Sequence, residues 1–496
     1  MLTIAGYSVV FVGLDGFGRE IGRKPLYAVL ACYAVSLFLP TLYLVYLCLF
    51  LVNPLLSRSR NESFTIFLIC FVMMPALGEA LRVASAYLFD VSAQTALSLG
   101  ALASLGLRGG AKPKDPGSNQ FFSVTIFVCL LIVEVRGTTL TGYVRGTAIS
   151  LINLGLPYAV CIASSKKPDF QSRITVALSI AGGMLAMIAI FEILTSWPIF
   201  VVMNEHLGLH PSLLVAKLRG GHLRSAGPMG ESTEMGFILA FCLLAAIVSR
   251  QGFRQASGYA LTLGLIGVGL LAPQSKGGWI GAGLGIVALA AYRSTLARPG
   301  KFILASIFGG AFLYAALVFH PGEDPSQGSG VYRTRLLQRG AEEFWRSPLF
   351  GDNPPSVIVR MQDLRQGEHI VDFVNSYLWF ALTLGALGLL AIIIAFLVPI
   401  VRAWRLRRLR GERDRVNEFA AFCFSCFISA MAMFAFTSFI PRAVILLMMF
   451  SAALMPRQRR HGAASVKTRR ADLVDDPSAT LSVQGRYVDQ KADLRS

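Results

Sequence analysis

The chain has 496 residues, of which 54% are hydrophobic and only 15% charged, and its mean hydropathy is +0.59. A water-soluble chain of this length does not tolerate that balance, so lipid solvates most of it and a soluble fold is excluded. The formal net charge of +18 does not mark a nucleic-acid partner, because Lys and Arg gather in short segments between apolar runs, where they read as topology signals.

From the start of the chain, Met1 to Leu14 lacks the basic opening and small-residue cleavage site of a signal peptide, so residues 1–26 are read as an N-terminal segment. Insertion then relies on internal spans of about 20 apolar residues, each able to cross a hydrocarbon core of about 30 Å as a helix. Such runs occur near 27–52, 64–89, 91–107, 120–135, 144–164, 174–196, 232–249, 257–273, 277–292, 301–320, 374–398, 417–437 and 440–455. The expected fold is an all-α polytopic transmembrane helix bundle of about 12–14 spans over 27–455. The eight cysteines fall inside apolar spans, so no disulfide framework is implied, and the Cys423–Cys426 CxxC is read as packing rather than a metal site. Glu79 and Arg82 stand at helical spacing and are expected to pair.

Orientation follows from the basic segments. Arg402, Arg405, Arg407, Arg408, Arg410, Arg413 and Arg415 define a cytoplasmic loop, and alternating outward from it places Arg58/Arg60, Lys112/Lys114, Lys166/Lys167/Arg173, Arg250/Arg254 and Arg293/Arg298/Lys301 on the same side. The N-terminus has two readings: an undivided first span strands Arg19, Arg23 and Lys24 outside, whereas a division at Pro40 returns them to the cytoplasm. Residues 456–496 are polar, mixed in charge and poor in aromatics, which predicts a disordered cytoplasmic tail.

The opposite face, periplasmic in a bacterium, carries one large hydrophilic loop at 321–373. Within it, Tyr332 to Ser347 reads as an amphipathic helix stopped by Pro348, with Tyr332, Leu336, Leu337, Gly340 and Phe344 on one face and Arg335, Arg339, Glu342 and Arg346 on the other. Planar guanidinium groups match phosphate oxygens, so Arg333, Arg335 and Arg339 are candidates to bind a diphosphate; the plain alternative is a solvated face touching lipid headgroups. Two other outer features point the same way: Arg219, His222 and Arg224 before the span at 232, and Lys276 in Ser275-Lys276-Gly277, which either snorkels or meets an anion. Among the acids, Glu134 adjoins Arg136 and Glu192 lies a turn from a span end, while Asp372 closes the large loop, where a carboxylate can orient or deprotonate a sugar hydroxyl.

These motifs together resemble the O-antigen ligase and polymerase family of polytopic glycosyltransferases, in its exopolysaccharide-type subset. Asn375 is followed by nine residues to Gly385, with Gly388 and Leu389 completing the family's Gly-x-x-Gly-aliphatic pattern, although Val374 stands where the family has histidine. VDFVNSYL, YRTRLLQRGAEEFWRSPLFG, QSKGGWIGAGLG and LRSAGPMGESTEMG follow in kind, with Lys276 in place of the family's arginine, and the likeness spans about residues 180–400. The resemblance implies a metal-independent inverting glycosyl transfer, without cofactor, at the periplasmic face of a bacterial inner membrane. The donor is an undecaprenyl-diphosphate-linked glycan and the acceptor is another glycan or a lipid A core. Asp372, His369 and Asn375 take the catalytic positions, and Arg224, Lys276, Arg333, Arg335 and Arg339 the diphosphate-binding ones. Membrane lipids and other polysaccharide-assembly proteins are the further partners; VDFVNSYL alone favours polymerase over ligase. A transporter or flippase for a lipid-linked or anionic substrate is the alternative, but it calls for charges along a mid-membrane path, whereas these gather at one face.

Overall fold

The structure is a computed structural model, and it describes residues 1–75, 77–83, 86–108, 120–164, 169–209, 217–219, 221–294, 329–365, 371–407 and 415–454. Residues Met1–Leu454 form one compact unit. The expected span at 301–320, the pairs Lys112/Lys114 and Lys166/Lys167, His369 and the tail 456–496 lie outside the described residues.

The chain opens with α1 (Leu2–Gly13) and α2 (Gly16–Phe38), then α3 (Leu42–Leu56) and α4 (Arg60–Met73). The N-terminal segment, residues 1–26, is thus helical, made of α1 and the start of α2. At 12 residues α1 is too short to register as a span, and it packs on other helices through glycines: a Cβ on Gly6 would lie 2.4 Å from Gly183 O, and one on Gly13 would lie 2.9 Å from Gly258. The break between α2 and α3 falls at Pro40, which cannot continue a helix.

The 64–89 run is not one span either. Helix α4 ends at Met73, just before Pro75, and the chain then forms the antiparallel hairpin β1 (Gly78–Val83) and β2 (Ala86–Ser92). Glu79 and Arg82 stand on β1, so the helical spacing that suggested an ion pair is not present.

The middle of the chain supplies α5 (Ala93–Leu107), α6 (Phe121–Val135), α7 (Leu140–Ser150), a π turn, α8 (Leu156–Ser164), α9 (Phe170–Thr195) and α10 (Ile199–His206). A small hairpin, β3 (Leu218–Arg219) and β4 (His222–Leu223), precedes α11 (Ser232–Val248), α12 (Ala256–Gly269) and α13 (Lys276–Arg293). The large loop holds α14 (Ser329–Phe344) and α15 (Pro354–Arg360), and α16 (Ser376–Leu406), α17 (Arg415–Phe434) and α18 (Pro441–Ala453) complete the described chain.

Among the described residues, five helical stretches are long and apolar enough to cross a membrane: Leu140–Ser164, Phe170–Thr195, Ser232–Gly252, Ser376–Leu406 and Asn417–Phe434. Shorter apolar helices, including α3, α5, α6, α12 and α18, pack among them. The protein is thus a helical membrane protein whose described strands are confined to the two hairpins. Its interior is aromatic, with the Phe122 ring edge-on to Phe396 and Phe427 at 5.1 and 4.9 Å, and both cysteines of the CxxC fully buried within it.

Basic side chains meet at one end of the bundle. Lys24 pairs with Glu62 at 2.6 Å, Arg173 with Glu20 at 3.3 Å and Arg293 with Glu418, while Arg60 donates to Ala163 O at 2.9 Å. The division at Pro40 thereby sets Lys24 beside the start of α4, with the other basic helix ends.

Candidate functional site

At the other end, the described part of the large loop has its own small core. Leu336, Val357, Met361, Leu364 and Leu382 are buried together, flanked by Tyr332, Phe344, Phe373, Val374 and Leu378. Helix α14 crosses the start of α16 so closely that a Cβ on Gly340 would lie 2.8 Å from Leu378. The apolar face expected for α14 is borne out at Leu336 and Gly340 but not at Leu337, which is 50% exposed. Glu343 lies buried in its place, paired with Arg360 and, at 3.2 Å, with Arg346. Glu343 is thus buried with its counter-charges, and the Asp352 carboxylate holds Arg360 at 2.6 Å from the other side.

The linker between α17 and α18 joins the candidate residues. The Ser438 hydroxyl donates to Asp372 Oδ1 at 2.6 Å, and Arg333 Nη2 donates to Phe436 O at 3.2 Å. Thr437 O accepts both the Ser376 amide and its hydroxyl, at 3.1 and 2.8 Å, which fixes the start of α16. The Tyr332 hydroxyl donates to Asp372 O at 2.8 Å. Burial, reinforced by the Asp372 carboxylate, holds that phenol above its ordinary value of 10.0, so it remains a donor at physiological pH. Asn375 caps α16, its side chain accepting from the Leu378 amide at 3.1 Å.

Next to this linker lies the turn before α13. A Cβ on Gly277 would lie 3.0 Å from Thr437 Cγ2, which brings the neighbouring Lys276 to the linker, half-buried at the first position of α13. Arg224 Nε donates to Pro273 O at 3.2 Å and Arg219 Nη1 to Gln274 O at 2.9 Å, so both arginines are fastened to that same turn. His222 is exposed on β4.

Two buried charged groups hold the Arg224 segment in place. Glu192, 2% exposed, accepts from the Ser225 hydroxyl at 2.7 Å and from the Gly227 amide at 2.9 Å, just beyond Arg224. Gly227 has φ +49°, a conformation that favours glycine. Arg442, 7% exposed, pairs with Glu234 at 3.1 Å, donates to Met74 O at 3.3 Å and meets Met229 Sδ at 2.7 Å.

The structure therefore assembles Arg224, Lys276, Arg333, Asp372 and Asn375 around two adjacent turns, but it does not gather the three loop arginines. Successive helical residues turn by about 100°, so Arg335 projects roughly opposite Arg333. Arg335 is exposed, and Arg339 is engaged by Glu342 at 2.7 Å and Asp363 at 3.4 Å. Ser438, Tyr332, Arg136 and Arg442 were not singled out as candidates from sequence. Arg136 and Arg442 offered a signal, as arginines at the ends of apolar spans. Among the described residues no group of His, Cys, Asp and Glu is arranged to hold a metal. No protein-family model matches the chain, and no curated protein matches it.

Proposed function

We propose that the protein is a glycosyltransferase of a bacterial inner membrane that joins an undecaprenyl-diphosphate-linked oligosaccharide to a sugar hydroxyl at the periplasmic face. The observation that carries this reading is the Asp372 carboxylate, hydrogen-bonded to Ser438, beside a linker that also binds Arg333 and adjoins Lys276. A lipid-borne diphosphate travels in the membrane plane and arrives at the depth of the helix ends, where Arg224, Lys276 and Arg333 stand. With Oδ1 held by Ser438, the second carboxylate oxygen takes the proton of the attacking hydroxyl. The hydroxyl oxygen bonds to the anomeric carbon, the bond from that carbon to the phosphate oxygen breaks, and the diphosphate leaves with the electron pair. The cations stabilise its growing charge. The resemblance to exopolysaccharide-type polymerases favours a lipid-linked glycan as acceptor.

The test is polymer synthesis in a membrane or nanodisc assay with a lipid-linked donor. Asp372→Asn is expected to lower the rate about 10²- to 10⁴-fold, as for loss of a general base. Arg333→Ala is expected to lower it about 10²-fold, while exposed Arg335→Ala changes it less. Normal chain lengths and normal levels of lipid-linked repeat units in Asp372→Asn and Arg333→Ala, at normal protein abundance, would falsify the assignment.

A further inference from the structure

Helix α16 breaks at Gly385, where φ is +70°. In an unbroken helix Leu382 O would accept from the Ala386 amide, and Thr383 O from the Leu387 amide. Each of these four groups finds another partner. The Ala386 amide donates to Pro348 O at 2.8 Å, the Leu387 amide to Leu349 O at 3.3 Å, and Leu382 O accepts from the Asp352 amide at 2.8 Å. The loop turn 348–351 is thus inserted into the helix as though it were a short strand.

The fourth group, Thr383 O, is met from a different helix. Arg136, directly after α6, donates Nη1 to Thr383 O at 2.7 Å and to Phe350 O at 2.5 Å, and Nη2 to Gly351 O at 2.9 Å. One guanidinium therefore binds the opened helix and the inserted turn together. Glycine is required on both sides of the joint: a Cβ on Gly351 would lie 2.6 Å from Gly385 N, and one on Gly385 would lie 2.3 Å from Leu349 O. The described hydrogen-bond acceptors of this arginine are backbone carbonyls, and its charge also reaches the Asp352 carboxylate beside the turn.

We infer that Arg136 is a positioning residue for the proposed transfer: by locking the turn 348–351 into the break of α16, it sets α14, with Arg333 and Tyr332, over Asp372. The inference rests on the proposed function only for its catalytic consequence, because the lock itself is read without activity. An ammonium cannot reproduce the planar fork that reaches carbonyls on two elements, so Arg136→Lys behaves like Arg136→Ala. A free guanidinium ion can.

The experiment follows trypsin cleavage after exposed Arg346 and Arg365 in full-length protein in nanodiscs, by mass spectrometry, beside polymer synthesis. Arg136→Ala and Arg136→Lys are expected to speed loop cleavage by about tenfold or more, the loss expected from even one charge-assisted hydrogen bond. Millimolar guanidinium restores protection and synthesis in Arg136→Ala but not in Arg136→Lys, a rescue that a general packing defect does not show. Gly351→Ala attacks the joint from the loop side and is expected to speed cleavage equally, so it decides the matter if Arg136→Ala does not fold. Unchanged loop cleavage in a folded Arg136→Ala, or in Gly351→Ala, overturns the inference. Loosened loops in a protein whose unaltered form makes no polymer would leave the lock standing and remove the proposed function alone.

Discussion

Asp372 and Asp352 show how two carboxylates of one loop take different tasks from their surroundings. Asp372 is half-buried and holds a hydroxyl donor, which leaves room for a second hydroxyl from outside. Asp352 is committed to structure: the Asn353 amide, at 2.7 Å, is the main cause that draws its carboxyl below the ordinary range, against the opposing effect of burial, and Arg360 adds to it. A carboxylate lowered by folding stabilises the folded form above its unfolded value of about 3.9 and ceases to do so as the pH falls through the lower folded value. Loop protection against an acid-active protease such as pepsin is therefore expected to hold down to about pH 4 and to weaken below it. Asp352→Asn should loosen the loop at neutral pH and flatten that acid dependence. An Asp352→Asn protein as well protected at pH 7 as the unaltered one would refute this role.

Helix α16 is the element on which most of the site depends, because it carries the cap at Asn375, the break at Gly385 and the seat for α14 at Leu378. Gly385→Val adds a branched side chain at positive φ and against Leu349 O, so it must either expel the turn or distort the helix. A loss of about 2 kcal/mol or more is expected, readable as a lowered midpoint of thermal unfolding in detergent, whereas Gly264→Ala, with open space around it, is expected to be nearly neutral. The sequence pattern at Gly385 and Gly388 was legible, but its use was not. Spacing shows that a small residue is wanted and cannot show that a loop 35 residues away enters there. The apolar spans were legible because lipid demands them locally. Helix α1 and the hairpin after Pro75 were not, since one is too short for a span and the other is apolar without being helical. The candidate site divides likewise: Asp372, Lys276 and Arg224 stand out as charged groups at apolar span ends. Ser438 and Arg136 act on partners 66 to 247 residues distant, which no local pattern encodes.

Among the described residues, the basic groups that pair with Glu62 and Glu418 gather at one end of the bundle, and the candidate site lies at the other. If the first end is cytoplasmic, cysteines placed at Arg254 and at Arg365 should differ in whole cells, only the latter reacting with a membrane-impermeant maleimide. Equal labelling of both, or labelling of the former alone, would put the proposed site on the wrong side of its donor. One further consequence concerns assembly. Arg442 ties together the ends of α4, α11 and α18, which are made early, midway and last among the described helices. Glu234 thus waits without its counter-ion while roughly two hundred residues are still to be made, and this rim of the bundle closes only when α18 delivers its arginine. Quality-control proteases of the membrane would see a product that ends just before Pro441 as unfinished, even though every residue proposed for the chemistry precedes that point.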